Sequence, residues 1–100
     1  ETESQLMTFI EFKARNYERS TFPTLMLSLH KWMKLTSYRS EGFGAGLCVE
    51  WLDGLYYLEI NRTLRPYITY KVGGRSDRSI EGDVEPCAFI NVNLFEKVVV

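Results

Sequence analysis

A single histidine narrows the chemistry open to this chain. His30 stands between Leu29 and Lys31, and no G-x-S-x-G elbow occurs anywhere in the sequence. A Ser-His-Asp triad therefore has no anchor, and His30 reads as an exposed structural residue. Cys48 and Cys87 lie 39 positions apart, a spacing that matches no common zinc pattern. They read as reduced, half-buried thiols that behave as small apolar groups, with a disulfide between them as the alternative. No metal and no cofactor is expected. Gly42-Phe43-Gly44-Ala45-Gly46 superficially resembles a phosphate loop, but it follows a helical segment and opens a strand, the reverse of the order a dinucleotide loop needs.

Two sets of carboxylates stand out from the thirteen Asp and Glu residues. Glu50 and Glu59 share one face of a hairpin with Cys48 and Tyr57 between them, the raw material of a small hydrolase that uses carboxylates or Cys48. Glu81, Asp83 and Glu85 close a polar span, Gly73–Pro86, that begins with Arg75 and Arg78. Long polar spans in compact chains are uncommon and are often binding loops. Basic side chains with aromatic neighbours form a further set: Lys13, Arg15, Tyr17 and Arg19, then Lys31, Lys34, Tyr38 and Arg39. That combination suits phosphate contacts and base stacking on a single strand.

Composition limits these options. The chain has 100 residues, with 12 Lys+Arg against 13 Asp+Glu and a formal net charge of −1. Its sequence pI is about 5.8. No positive surplus exists to release counterions, which makes nucleic acid an unlikely partner on charge alone. Hydrophobic residues are 45% and charged residues 25%, as in ordinary globular proteins and unlike disordered or fibrous chains. No apolar run reaches the length of a membrane span, and no signal-peptide pattern is present, so a cytoplasmic location is expected.

The elements that must position these residues follow from periodicity. Leu6–Ala14 alternates, with Leu6, Thr8, Ile10, Phe12 and Ala14 expected on the buried face of a strand. Leu25, Met26, Leu29, Trp32 and Met33 fall on one arc of a helix that starts near Pro23, is capped by Ser20 or Thr21, and fades before Gly42. Leu27 and Leu35 violate that arc. Leu47–Ile60 reads as a hairpin with Asp53-Gly54 as its two-residue turn, which opposes Trp51 to Tyr56 and Val49 to Leu58. Tyr67–Val72, Cys87–Val92 and Leu94–Val100 read as further strands, the last two interrupted near Asn91–Asn93. The expected fold is α+β: residues 1–100 as a single domain, one mostly antiparallel sheet of five to six strands, and one amphipathic helix packed on one face.

The expected function is a small non-enzymatic protein-binding module. Its favoured form is an inhibitor of the immunity, antitoxin or phage-encoded kind that occludes a basic partner enzyme such as a nuclease. Arg75, Arg78, Glu81, Asp83, Glu85, Tyr57 and Tyr67 are its candidate contacts. The alternatives are the small hydrolase and the single-stranded nucleic-acid-binding module through residues 13–39.

Overall fold

Among the described residues, strands β1 (Thr8–Ala14), β2 (Thr24–Ser28), β3 (Gly44–Trp51), β4 (Gly54–Glu59), β5 (Ile68–Gly74), β6 (Val84–Asn91) and β7 (Glu96–Lys97) and one α-helix, α1 (Leu29–Ser40), are joined by loops and short 3-10 turns. The structure is a computed structural model that describes residues 7–74 and 84–99. The strands form two sheets, of order β1-β3-β4-β7 and β2-β6-β5. This corrects the expected single sheet of five to six strands, although the α+β class holds. β1 pairs with β3 in parallel and the other four pairings are antiparallel. A parallel pair needs a crossover between its strands, and β2 with α1 supplies it.

The split into two sheets begins at residues 24–28. Sequence periodicity assigns them to a helix, but they are a strand in which Leu25 and Leu27 alternate inward, each 2% exposed. The helix starts four residues later than Leu25, and its cap is Ser28 rather than Ser20 or Thr21: the Ser28 hydroxyl accepts the Lys31 N–H at 3.3 Å. Leu27 and Leu35 therefore do not violate a helical arc, because only Leu35 belongs to the helix. It is buried with Trp32, while Met33 is 58% exposed. The Trp32 indole N–H donates to the Tyr70 hydroxyl at 3.1 Å, which ties α1 to β5.

The hairpin forms with a register two residues from the expected one. Val49 opposes Tyr56, Leu47 opposes Leu58 and Trp51 opposes Gly54. A shift of two keeps every side chain on its face, so Leu47, Val49, Trp51, Tyr56, Leu58 and Ile60 are all buried as expected. The turn is Leu52-Asp53, and Gly54 follows it at φ +145°. Asp53 is engaged elsewhere: its carboxylate accepts the backbone N–H of Arg19 at 3.0 Å.

The core joins both sheets and the helix. Leu25, Leu27, Trp32, Leu47, Val49, Ile60 and Ile90 are among its members, and burying each such side chain is worth about 1.5–3 kcal/mol. Trp51 sits edge-on between Tyr56 and Phe95, both at 5.4 Å. Near the C-terminus β6 ends in a 3-10 turn at Val92–Leu94, which accounts for the interruption read at Asn91–Asn93. β5 runs through Gly73 and Gly74, past the end expected at Val72. Among the described residues, no helix is long and apolar enough to cross a membrane.

β1 overturns the expected inside and outside. Ile10 and Phe12 are 54% and 59% exposed, whereas Phe9, Glu11 and Lys13 are half-buried. The inner side of this edge strand therefore carries charge toward α1.

Candidate active site between the helix and the edge strand

α1 places Lys31, Lys34, Leu35 and Tyr38 on one stripe, at i, i+3, i+4 and i+7. The stripe faces Phe9, Ile10 and Glu11 of β1 across a groove of about 170 Å³. At one end of the groove, Glu11 Oε2 lies 3.3 Å from Lys31 Nζ and 3.5 Å from Lys13 Nζ. At the other end Phe9 stacks on Tyr38 with ring centroids 3.8 Å apart, and Phe43 meets Phe9 edge-on at 5.6 Å.

One carboxylate thus stands among several cations. The two ion pairs are partly exposed and contribute at most about 1 kcal/mol each to stability. Two ammoniums that share one carboxylate cannot both hold their protons with ordinary affinity. Lys13, the less exposed of the two, is held below the ordinary lysine range by the adjacent Lys31 and then by partial burial, which together outweigh the opposing pull of Glu11. Arg15 adds a third positive charge near Lys31, its guanidinium donating to the carbonyls of Ala14 and Met26 at 3.0 and 3.3 Å.

Lys31 also sits in the first turn of α1, where no acidic residue is found. A cation at the positive end of the helix dipole opposes helix stability by about 0.3–1 kcal/mol. The arrangement favours an anion brought to this end of the groove.

A second recess, of about 420 Å³, lies at the carboxyl ends of β1 and β3 and includes Arg15, Asn16 and Glu50. Glu50 pairs with Ala14 and Leu55 and lies on the opposite face of the sheet from Glu11. The Glu50/Glu59 group stays on that face, and both residues are exposed. Between them, burial pushes the Cys48 thiol above its ordinary range, which leaves it a poor nucleophile. Tyr57 is raised by burial and then by Glu59. His30 is exposed, and Cys87 is buried.

Of the residues expected to contact a partner, Arg75, Arg78, Glu81 and Asp83 lie outside the described residues. Glu85 is exposed on β6, in the other sheet from Tyr57, and Tyr67 is 57% exposed at the end of a 3-10 turn that precedes β5. The structure instead brings together Lys13, Arg15, Lys31, Lys34 and Tyr38 from the two basic-aromatic clusters. Glu11, which links them, was missed by sequence reasoning.

Residues 2–98 match the family described as "Phage putative PDDEXK endonuclease". The chain belongs to this family. No curated protein and no solved structure matches it. Membership in a family described as endonucleases overturns the expectation of a non-enzymatic inhibitor, with its immunity and antitoxin variants. That expectation gave weight to charge sorting along residues 75–85 and none to the convergence of residues 11–38. Read as one-letter code, the family's name ends in Glu, any residue and Lys. Glu11-Phe12-Lys13 is the one place in this chain where an acidic residue stands two positions before a lysine. The Pro-Asp step that begins the name has no counterpart, because Pro23, Pro66 and Pro86 precede Thr24, Tyr67 and Cys87.

Nucleases often hold divalent cations between carboxylates. The groove does not fit one. Among the described residues Glu11 is the only carboxylate lining it, two ammoniums already share that carboxylate, and no group of three or more His, Cys, Asp or Glu converges.

Proposed function

We propose that the chain cleaves nucleic-acid phosphodiesters in the groove between α1 and β1, with Glu11, Lys13 and Lys31 as the reacting cluster. The observation that carries this reading is the shared Glu11 Oε2, 3.3 Å from Lys31 and 3.5 Å from Lys13. A backbone phosphate replaces part of the carboxylate's role and accepts from both ammoniums. Their charge offsets the negative charge that builds on the phosphoryl oxygens as water attacks phosphorus, its proton passing to bulk solvent, and the bridging P–O bond breaks. Lys13, with its weakened hold on its proton, is the group suited to protonate the departing oxygen. Glu11 keeps the two ammoniums aimed at one point.

The test is cleavage of end-labelled nucleic acid by the purified chain, with and without magnesium. Cleaved internal bonds in the wild type and their loss in Glu11→Gln support the reading. Intact substrate with the wild type under both conditions overturns it.

A further inference from the structure

We propose that the groove takes an unpaired strand rather than a duplex, seating one base against Tyr38 with the adjacent phosphate between Lys31 and Lys34. The inference deepens the nuclease reading and rests on it. Its observation is the distribution of chemistry along the groove: the ammoniums gather at the Lys13 end, and the Phe9–Tyr38 stack with Phe43 edge-on to it closes the other. The two ends are set by β1, along which Phe9 and Lys13 are four residues and roughly 13 Å apart. That is a distance a short stretch of single strand spans.

The groove's size selects in the same direction. About 170 Å³ accepts one flat ring and does not admit a duplex. A paired base reaches Tyr38 only after it is unstacked and flipped, an expense that a single strand does not meet. Aromatic rings stack on any base, so the seat discriminates by strandedness and not by sequence. Tyr38 lines the groove and is held in place by the 3.8 Å stack on Phe9 and by its packing against the core, so it is preorganised.

The experiment is an anisotropy titration of the full chain with three labelled probes carrying cleavage-resistant phosphorothioate linkages: a single-stranded DNA, the same sequence as single-stranded RNA, and its blunt DNA duplex. At least one single strand is expected to bind about tenfold or more tighter than the duplex, and the tighter of the two names the sugar. Tyr38→Leu is expected to weaken single-strand binding roughly 5- to 150-fold while duplex binding changes less than about twofold. Tyr38→Phe, which keeps the ring, retains single-strand binding and guards against a folding defect. Duplex bound as tightly as either strand, or Tyr38→Leu with unaltered single-strand binding, overturns the inference and leaves the nuclease reading standing. Binding of no probe overturns both.

Discussion

Lys31 Nζ lies 3.3 Å from Glu11 Oε2, joining the first turn of the helix to a strand twenty positions earlier in the chain. Two clusters of basic and aromatic residues, separate in sequence, become one groove through this contact. A chain with a net charge of −1 thereby keeps a local positive site. Overall charge argues against nucleic acid as a partner, and local charge argues for it. On the proposed reading the local charge outweighs the overall one, because charges farther apart than about 8–10 Å are screened at ordinary salt.

The salt dependence of binding should count the phosphate contacts. For single strands the slope of log affinity against log salt is about −0.7 per contact. Lys13→Met and Lys31→Met should each make the slope shallower by about 0.7. An unaltered slope would remove that lysine from the interface.

Binding should also weaken with rising pH earlier than an ordinary lysine would allow. Lys13 holds its proton less tightly than the ordinary value of 10.5, chiefly because of Lys31. Its charge is present at neutral pH and is lost as pH rises through its lowered pKa. Lys31→Met removes the largest cause and should move the decline to higher pH. Glu11→Gln removes the opposing pull and should move it to lower pH. The same sign governs folding: the charged Lys13 opposes the folded state at neutral pH, and that opposition fades as pH rises toward 10.5. Titration of the Lys13 side chain by NMR in the two variants checks both directions.

Residues 24–28 distinguish strand from helix energetically. Leu27 is buried in β2 and Met33 is 58% exposed on α1. Leu27→Ala should cost about 2–5 kcal/mol in urea unfolding, and Met33→Ala within about 0.5 kcal/mol. A helix running from Pro23 would reverse that order.

Gly54 tests the turn. Its φ of +145° lies in a region that only glycine occupies without strain. An added Cβ would also meet Lys97 Cε at 2.9 Å. Gly54→Asn should therefore destabilise by about 1–3 kcal/mol. An Asp53-Gly54 turn of type I′ would accept asparagine with little loss, so a neutral Gly54→Asn in thermal unfolding would restore the other register.

The sequence was most legible where one face is uniformly apolar. Leu47, Val49, Trp51, Tyr56, Leu58 and Ile60 announce their buried face, and a two-residue register error leaves that face intact. Leu25–Leu29 was ambiguous, because a short apolar run satisfies both periods, and tertiary pairing with β6 settles it as a strand. Alternation alone turns β1 inside out. Its Ile10 and Phe12 look like core, yet Phe9 supplies the packing on Tyr38 while Glu11 and Lys13 share its side. The rule that apolar residues point inward fails at this edge strand, whose inner side lines the groove beside α1. The Glu11-Phe12-Lys13 spacing was visible throughout, but its convergence with Lys31 depends on the crossover between β1 and β3, which local periodicity does not encode.

The most direct measurement is the rate of phosphodiester cleavage by Lys13→Met beside that of Lys71→Met, with thermal unfolding of each. Lys71 lies over the Phe89 ring at 4.7 Å in the other sheet, away from the groove. The expected result is a loss of about 100-fold or more for Lys13→Met, the scale of one proton donor or charge stabiliser, with little change for Lys71→Met and similar melting for both. Equal cleavage by the two variants would contradict the account.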